Sequence, residues 1–337
     1  MNDIILRVKN LVKRYEDGFS LEIPERKFAR GKIYCLVGAN GAGKTTLLNL
    51  LCLLEQPDNG EIFFNEAQIT GSNSFNIRRK VSLVMENPFL FSASVFDNIA
   101  AGLKLRSVNK KARREMAEEA LDMVGLKNFS KRYARKLSQG ETQRVAIARS
   151  IVFKPEVLLL DEPFTNIDRQ NVELIESLIK AIRQRYLATI IFTTHDFLQA
   201  RRLSDEVVSL VDGKIVDGAI ENFFSGEVEE SDGLQLIRIS PKISVAALTK
   251  NKGKVNISIH PQDIILSRSS IQSSARNSFK GIIRKIYMEA GIVRLNIEVD
   301  KGVNFIVMVT KASYEAMRLL ADTEIFLVFK ATAVTVF

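Results

Sequence analysis

Cysteine is scarce in this 337-residue sequence, and long apolar runs are missing. The two cysteines, Cys35 and Cys52, stand in apolar company, which excludes a disulfide framework and a cysteine metal site. No run approaches the ~18 apolar residues of a transmembrane helix. Asp3 lies where a signal peptide would be basic. The sequence therefore predicts a protein that stays in the cytosol and serves a membrane process only as a peripheral subunit at the cytoplasmic face.

The sequence also lacks a concentration of positive charge. Its net charge of +9 comes from 48 Lys and Arg residues scattered among 39 Asp and Glu residues, without a basic arm or a basic and aromatic cluster. A nucleic acid is therefore not an expected partner, although a positive net charge alone favours one. Hydrophobic residues make up 46% and charged residues 26%, as in a soluble chain with a proper core. At ~150 residues per domain, the length predicts about two domains.

The most informative motif present is Gly-Ala-Asn-Gly-Ala-Gly-Lys-Thr-Thr at 38–46, directly after the apolar run 33–37. It matches G-x-x-x-x-G-K-[ST], the phosphate-cradling loop between a strand and a helix. Its glycines let backbone N–H groups approach phosphate oxygens, and the helix start adds its positive dipole end. Lys44 would reach the β and γ phosphates, and the Thr45 hydroxyl would ligate Mg²⁺. The predicted phosphate-loop contacts are Gly38, Asn40, Gly41, Ala42, Gly43, Lys44, Thr45 and Thr46.

A second apolar run, 157–160, ends in two carboxylates, Asp161 and Glu162. Asp161 suits Mg²⁺, because that ion keeps several waters and needs few protein oxygens. Glu162 would face the attacking water as a candidate general base. An acidic turn after a strand is an ordinary feature when it stands alone, but the nearby phosphate loop favours the catalytic interpretation.

Two further motifs are ambiguous when taken singly. Ser138, Gln139 and Gly140 stand at the start of a predicted helix, where backbone N–H groups bind an anion or Ser138 simply caps the helix. His195 follows a predicted strand, and an isolated histidine there is more often structural than catalytic.

Apolar periodicity predicts a mainly parallel sheet flanked by helices over 1–220, with a helical insert at 94–153. An acidic, turn-rich segment at 226–233 precedes short alternating runs that predict a small β-barrel or sandwich. Predicted core strands are 33–37, 81–85, 157–160 and 189–193, with a hairpin over 207–216. The predicted domains are 1–225 with a helical subdomain at about 88–153, a linker and β-segment at 226–270, and a C-terminal domain at 271–337.

Together these motifs follow the order of one ATPase family. With a phosphate loop, a helical insert, Leu-Ser-x-Gly-Glu, Leu-Leu-Leu-Asp-Glu-Pro and Thr-His-Asp, the range 1–220 resembles the ATP-binding-cassette (ABC) ATPases. The resemblance implies an α/β P-loop NTPase fold with a mixed, mainly parallel sheet and a helical subdomain. It also implies a homodimer or paired cassettes with ATP and Mg²⁺, in which Ser138, Gln139 and Gly140 of one cassette cap the nucleotide of the other.

The same resemblance assigns further roles. Tyr15 would stack on adenine, Asp168 would lie in the loop linking the two nucleotide sites, and His195 would contact the γ-phosphate. The family implies integral membrane permease subunits as partners, and the apolar segment 88–91 is a candidate contact, although core packing explains it equally well. Glu86 stands where these cassettes have a glutamine that meets Mg²⁺ and the lytic water. A carboxylate still ligates Mg²⁺ but donates no hydrogen bond when ionised, so we expect Glu86 to remain a metal contact.

The C-terminal segment contains Ser-Ala-Arg-Asn at 274–277, Val-Thr-Lys-Ala-Ser at 309–313 and Phe-Lys-Ala-Thr at 329–332. In these runs it resembles the molbindin-type, OB-like oxyanion-binding domain of molybdate and tungstate importer ATPases. The alternative is a barrel with polar surface residues whose only task is dimerisation. The residues that would offer donors and positive charge to a compact dianion are Ser274, Arg276, Asn277, Thr310, Lys311, Ser313 and Lys330.

These resemblances imply the ATP-hydrolysing subunit of an importer for molybdate or tungstate, served indirectly by an extracytoplasmic oxyanion-binding protein. Oxyanion bound to the C-terminal domain would act as a feedback inhibitor. The same engine with sulfate, iron, sugar or polyamine as cargo is the nearest alternative. A non-transport ABC ATPase is less expected, because the two-cassette chains, coiled-coil arms or zinc hooks of that class are missing from this sequence. A cytosolic oxyanion store would leave the first domain without a role.

Overall fold

The computed structural model describes residues 3–194, 196–216, 222–229, 235–289 and 291–336. The chain divides into two compact units, Met1–Gly218 and Ala219–Phe337. The strands of the first unit are β1 (Ile4–Arg14), β2 (Ser20–Ala29), β3 (Ile33–Val37), β4 (Asn59–Phe64), β5 (Ala67–Gln68), β6 (Val81–Val84), β7 (Val157–Leu160), β8 (Thr189–Thr194), β9 (Glu206–Val211) and β10 (Lys214–Val216). Its helices are α1 (Lys44–Leu51), α2 (Ser74–Arg78), α3 (Val95–Leu105), α4 (Lys110–Met123), α5 (Gln139–Ile151), α6 (Arg169–Tyr186) and α7 (Phe197–Leu203).

A ten-stranded mixed sheet forms the first unit, in the order β5-β4-β1-β2-β10-β9-β3-β8-β7-β6. The strands β9, β3, β8, β7 and β6 are mutually parallel. Residues of β3 and β7 are buried along their whole length, as expected for strands covered on both faces. The predicted α/β fold class with a mainly parallel core is confirmed, and the carboxyl ends of β3, β6, β7 and β8 meet at one edge.

Helices α3, α4 and α5 form the predicted helical insert. They pack on one another through apolar residues such as Ile99, Leu121 and Val145, all fully buried. Each begins at a side-chain cap: Ser94, Asn109 and Ser138 accept hydrogen bonds from backbone N–H groups of the first turn. The described residues of the chain contain no helix that is long and apolar enough to cross a membrane.

The described residues of the second unit form strands, one short α-helix and two short 3-10 turns, 261–263 and 331–333. Its strands are β11 (Phe223–Glu229), β12 (Gln235–Ser240), β13 (Ile243–Ala247), β14 (Lys254–Ile259), β15 (Ile265–Ser267), β16 (Asn277–Glu289), β17 (Ile292–Asp300), β18 (Val303–Thr310), β19 (Glu324–Phe329) and β20 (Val334–Val336), and its helix is α8 (Lys311–Ala316). They form two five-stranded antiparallel sheets around one core. The predicted all-β, OB-like character of this part is confirmed.

The second unit is built from two copies of one motif. One sheet has the order β13-β12-β11-β14-β20, and the other has the corresponding order β18-β17-β16-β19-β15. Each sheet therefore takes its last strand from the other copy. The first strand of each copy begins with the same pattern, Asn-x-Phe-x-Gly, at 222–226 and at 277–281.

Side-chain geometry repeats between the two copies. A Cβ atom on Gly226 would meet Ile237 Cγ2 at 2.7 Å, and one on Gly281 would meet Ile297 Cγ2 at 2.7 Å. The Asn222 amide exchanges two hydrogen bonds with the backbone N–H and C=O of Ile306 in β18. The Asn277 amide does the same with Ala246 in β13. Each asparagine thus fastens the start of its own copy to a strand of the other copy.

This duplication differs from the predicted division of the C-terminal half. The segment 226–270 was expected to be a linker with a β-segment, yet its residues 226–229 belong to β11, and its described residues 235–267 contain β12, β13, β14 and β15 of the first copy. The compact units divide at 218 and 219 rather than at 225 and 226. An acidic composition, with residues such as Glu227 and Glu229, is typical of a linker. In the structure these two residues lie on β11 and form ion pairs with Arg238 of β12.

Candidate functional site

The phosphate loop joins β3 to α1 as its sequence predicts. At Gly38 a Cβ atom would stand 2.3 Å from the carbonyl oxygen of Leu210. Gly43 has φ +101°, and a Cβ there would meet the ring of Phe19 at 2.9 Å. Both positions therefore need glycine, for close backbone approach and for left-handed conformation. Ala42 is buried, whereas Asn40 and Gly41 are exposed towards a cavity.

Lys44 opens α1 and is 6% exposed. Its Nζ atom donates hydrogen bonds to the carbonyl oxygens of Gly38 at 2.9 Å and Ala39 at 3.2 Å. Nζ also lies 3.5 Å from Glu162 Oε1. The ammonium group is therefore held over the loop by its backbone and faces the candidate general base, where an incoming phosphate group would meet it.

Asp161 is the centre of a polar cluster at the carboxyl end of β7. Its Oδ2 accepts a hydrogen bond from Thr45 Oγ1 at 2.7 Å, and its Oδ1 accepts one from Thr193 Oγ1 at 2.8 Å. The adjoining hydroxyl and carboxylate oxygens form a donor set that fits Mg²⁺. Among the described residues there is no group of three His, Cys, Asp or Glu side chains that holds a metal. A cation here would take its remaining ligands from water and phosphate oxygens.

Glu162 lies next to this cluster in an unusual backbone conformation. Its φ of +41° is in the left-handed region, which a side chain rarely adopts without support. Its backbone N–H donates to Thr193 Oγ1 at 2.7 Å, and its Oε2 accepts from Thr165 Oγ1 at 3.3 Å. These bonds turn the carboxylate into the cavity beside Lys44.

One cavity of about 790 Å³ brings most of the predicted residues together. Those that line it are Tyr15, Asn40, Gly41, Gly43, Lys44, Thr45, Thr46, Glu86 and Glu162. Residues that the sequence analysis did not name also line it: Asp17, Phe19, Asn49, Glu55 and Thr165. Helix geometry could have indicated that Asn49 lines the cavity, because it follows Thr45 by one turn of α1.

Tyr15 and Glu86 occupy the less enclosed parts of the cavity wall. Tyr15 is 36% exposed, and its hydroxyl donates to Glu55 Oε2 at 2.5 Å. Burial and the neighbouring Glu55 raise the pKa of Tyr15 above its usual value, so the hydroxyl keeps its proton at neutral pH. Glu86 follows β6 and is exposed.

The Ser138 motif lies at a helix start, outside the lining of this cavity. Ser138 caps α5 in a capping box with Glu141, while Gln139 is exposed. A Cβ atom at Gly140 would stand 2.4 Å from Asn171 Cγ. Asn171 in turn donates to Asp168, the cap of α6, whose pKa these hydrogen bonds lower. The predicted linking residue Asp168 therefore packs beside the Ser138 helix tip. His195 lies outside the described residues.

The candidate oxyanion residues separate into two groups. Asn277 pairs with Phe329, so Arg276 and Lys330 flank one end of β16, and both are exposed, as is Ser274. Thr310 pairs with Ile292, which pairs with the opposite end of β16. The second group, Thr310, Lys311 and Ser313, forms the exposed start of α8, where Thr310 Oγ1 accepts from the Ser313 backbone. Within this unit, the length of β16 separates the two groups along the sheet.

Asn277 differs from its predicted role as an oxyanion ligand. It is 1% exposed, and both polar atoms of its amide are used by Ala246. Because the side chain is buried and its amide is held against β13, a dianion in solvent cannot reach it. Its position in the Ser-Ala-Arg-Asn run suggested anion binding, but its contact with β13 makes it a clamp between the two copies.

Comparisons with known proteins agree with this arrangement. Residues 21–165 match the family model described as ABC transporter, and residues 273–336 match the TOBE domain. Over 99% of its length the chain is 32% identical to the molybdate/tungstate import ATP-binding protein WtpC of Pyrococcus abyssi, which is covered completely. It is 39% identical to the tungstate uptake system ATP-binding protein TupC of Peptoclostridium acidaminophilum, over 65% of this chain and 99% of that protein. It is 37% identical to the Fe(3+) ions import ATP-binding protein FbpC of Pasteurella multocida, over 65% of this chain and 62% of that protein.

The solved structures that match cover 63–64% of the chain, which is about the length of its first compact unit. CbiO1 of Clostridium perfringens, part of the ABC transporter complex cbiONQ, has a TM-score of 0.60 at 30% identity, covering 64% of this chain and 87% of that one. The dimeric structure of MJ0796, a bacterial ABC transporter cassette, has a TM-score of 0.58 at 28% identity, covering 63% of this chain and 96% of that one.

Proposed function

This chain belongs to the ABC transporter family as an import ATPase with a TOBE domain, and from that premise we propose that its cargo is molybdate or tungstate. The supporting observation is the extent of the match. The molybdate/tungstate relative matches 99% of the chain and all of its own length, the duplicated C-terminal unit included. The iron relative matches 65% of the chain and only 62% of its own length, whereas the tungstate relative matches over 99% of its own length. Cargo-related sequence is expected outside the cassette, because the cassette chemistry is common to all of these importers.

We propose the following division of labour in ATP hydrolysis. The phosphate loop and Lys44 bind the phosphates, Thr45 and Asp161 hold Mg²⁺, and Tyr15 stacks on the base. Mg²⁺ bound there neutralises charge that develops on the phosphates. Glu162, turned into the cavity by Thr193 and Thr165, takes a proton from the attacking water.

The Ser138 helix tip is proposed to act on a second copy of the chain. It does not line the cavity of its own chain, and its Ser138 and Gln139 are exposed. This helix start has a positive dipole end, and its first-turn backbone N–H groups outside the capping box of Ser138 and Glu141 favour a phosphate group. Two copies would therefore enclose two ATP molecules, and hydrolysis would weaken the enclosure. The dimeric form in which MJ0796 was solved supports this proposal.

The experiment that tests this engine is the Glu162→Gln variant. Loss of a general base is expected to lower the ATPase rate by roughly 10²–10⁴-fold. Because the glutamine keeps the shape of the site, ATP and Mg²⁺ should still bind and should shift the chain from monomer to dimer in sedimentation. Wild-type protein without nucleotide is the control. A variant that binds ATP and stays monomeric at every concentration would contradict the enclosed-nucleotide arrangement.

A membrane permease is the proposed partner of the loop before α3. Phe89 and Phe91 are 77% and 52% exposed, so core packing does not account for them. The loop is nevertheless fixed: the buried Asn98 amide bonds both backbone groups of Phe91, and Arg149 of α5 donates to the carbonyl of Phe89 at 2.9 Å. A rigid apolar surface of this kind suits a short amphipathic helix. The chain would then work as a peripheral subunit at the cytoplasmic face, supplied by an extracytoplasmic oxyanion-binding protein.

The C-terminal unit is proposed to bind the oxyanion as a feedback signal. Arg276 and Lys330 flank one strand end and offer two positive charges to a dianion. The group at Thr310 lies at the other end of β16, so a site using both groups needs a second chain. An allosteric coupling of about 1–3 kcal/mol would give graded inhibition.

Equilibrium titration of the full chain with molybdate, tungstate and sulfate tests the cargo and the regulation together. We expect molybdate or tungstate to bind more tightly than sulfate and to lower the ATPase rate of the assembled transporter. The Arg276→Ala variant should lose both effects and keep its ATPase rate without oxyanion. Equal binding of all three anions would favour an importer of sulfate or of another cargo. An ATPase rate that does not change with added oxyanion would reject the feedback proposal and leave the ATPase assignment intact.

A further inference from the structure

Three cavity-lining side chains form a hydrogen-bonded chain beside the phosphate loop. The Tyr15 hydroxyl donates to Glu55 Oε2 at 2.5 Å, and Asn49 Nδ2 donates to Glu55 Oε1 at 2.8 Å. Both oxygens of one carboxylate are thus occupied. None of the sequence motifs includes Glu55 or Asn49, and the nucleotide chemistry described above does not use them.

The backbone around these residues is also tied together. Asn49 lies in α1, the helix that starts with Lys44, and its carbonyl oxygen accepts from the backbone N–H groups of Leu54 and Glu55. The turn that carries Tyr15 is closed by a hydrogen bond from its N–H to the carbonyl oxygen of Phe19. Glu55 therefore links the Tyr15 turn to the helix that carries the phosphate-binding lysine.

The orientation of the Asn49 amide is fixed by this carboxylate. Its Oδ1 is buried without a hydrogen-bond partner among the described residues, whereas its Nδ2 is used by Glu55. A flipped amide would set two oxygens against each other. The hydrogen bond to Glu55 is thus made at the free-energy cost of one buried amide oxygen without a hydrogen-bond partner among the described residues.

We infer that Glu55 is a positioning residue for nucleotide recognition: held by Asn49, it locks the Tyr15 ring in the orientation that receives the base. This rests on the proposed function, in particular on stacking between Tyr15 and adenine. Phe19 and Lys13 also contact this ring, and without the bond to Glu55 its remaining freedom would have to be lost when the nucleotide binds. With the hydrogen bond to Glu55 in place, the ring is already ordered before the nucleotide binds. Binding of the base is therefore stronger, and binding of the phosphates is unchanged.

Binding of two probes to the full chain separates these effects. ATP has a base, and inorganic tripolyphosphate has only the phosphates. In Glu55→Ala we expect ATP to bind roughly three- to tenfold more weakly, with tripolyphosphate binding unchanged. The KM for ATP should rise by the same factor while kcat stays constant. Glu55→Gln keeps an acceptor for the Tyr15 hydroxyl and should recover most of the affinity.

Glu16→Gln is the matched control, because it removes an exposed carboxylate next to Tyr15 that is not part of the chain of hydrogen bonds. It should leave the affinity for ATP unchanged. Unchanged ATP affinity in Glu55→Ala would overturn the inference, and so would an equal loss for tripolyphosphate, which would indicate a distorted phosphate loop. In a Tyr15→Phe background, Glu55→Ala should add no further loss. A wild-type chain that binds neither probe would instead refute the proposed function.

Discussion

The hydroxyl of Thr193 joins the two carboxylate residues of the site. It donates to Asp161 Oδ1 at 2.8 Å and accepts from the backbone N–H of Glu162 at 2.7 Å. One buried side chain thereby orients the proposed metal ligand and supports the left-handed backbone of the proposed base. Residues of this kind escape motif searches, because their role comes from the neighbouring strand and leaves no spacing in the sequence.

Thr193→Val is expected to impair the site without removing any residue that contacts ATP. It removes the hydrogen bonds that Thr193 Oγ1 makes to Asp161 Oδ1 and to the Glu162 N–H, and a hydrogen bond to a charged group is worth about 1.5–3 kcal/mol. We expect roughly a ten- to hundredfold lower kcat at saturating Mg²⁺. Thr189→Val, on the same strand and equally buried, is the control. It loses a bond to the Gly31 backbone and should reduce stability while kcat remains. Equal kcat in both variants would contradict the role of Thr193.

Glu86 gives a second prediction at this scale. It is exposed at the cavity wall, and an exposed charge contributes about 0.2–1 kcal/mol to an ionic contact. Glu86→Ala is therefore expected to raise the Mg²⁺ concentration for half-maximal ATPase activity by roughly two- to fivefold. The Mg²⁺ concentration that Glu86→Gln needs should lie between those of the wild type and Glu86→Ala, because the amide oxygen of glutamine still ligates the ion. A variant with the wild-type Mg²⁺ dependence and rate would exclude a metal contact.

At the scale of elements, α5 connects two surfaces proposed for different partners. Its start, with Gly140 packed on Asn171, lies beside Asp168 at the start of α6. Near its end, Arg149 bonds the carbonyl of Phe89 in the apolar loop. We therefore expect that a displacement of the loop before α3 would also displace α5, the helix whose first turn is proposed to cap a nucleotide.

The strands of the second unit carry a prediction about its duplication. Gly226 and Gly281 take equivalent places, and a Cβ atom at either would stand within 3 Å of a backbone carbonyl and an isoleucine methyl group. Alanine at each should destabilise this unit by about 1–3 kcal/mol. Hydrogen exchange of the β11 and β16 amides measures the loss. Gly71→Ala, with no atom within 4 Å of its Cβ, is the control. Unequal losses would indicate that the two copies are not equivalent in packing.

At the scale of the whole molecule, the chain consists of a cassette and a unit that closes on itself. In the second unit each copy lends its last strand to the other, as β20 pairs with β14 and β15 pairs with β19. Neither copy has a complete sheet without the other. The TOBE match covers 273–336, yet the compact unit Ala219–Phe337 also contains the first copy of the motif.

Two fragments test this organisation. A fragment of residues 219–337 contains both copies and should fold cooperatively, as seen by circular dichroism and a single denaturant transition. A fragment of residues 226–337 removes Asn222 and the first part of β11, and with them the bonds to Ile306 and Ile259. We expect it to be several kcal/mol less stable (roughly 1–3 per buried group left unpaired). Equal midpoints for the two fragments would show that the clamp is dispensable.

The fold class and the nucleotide chemistry can be read from the amino-acid sequence, because phosphate binding requires successive backbone N–H groups and so leaves a contiguous motif at 38–46. The order of the motifs was sufficient for the α/β cassette. The duplicated unit left a trace, the repeated Asn-x-Phe-x-Gly, but the strands that carry it differ in length, 7 residues in β11 and 13 in β16, and only the strand pairing makes the two copies evident. Tertiary structure alone decided that Asn277 is a clamp, that Phe89 and Phe91 are exposed, and that Glu55 joins Tyr15 to α1. Each of these depends on contacts between residues distant in the chain, and those contacts follow from register and packing, which local spacing does not encode.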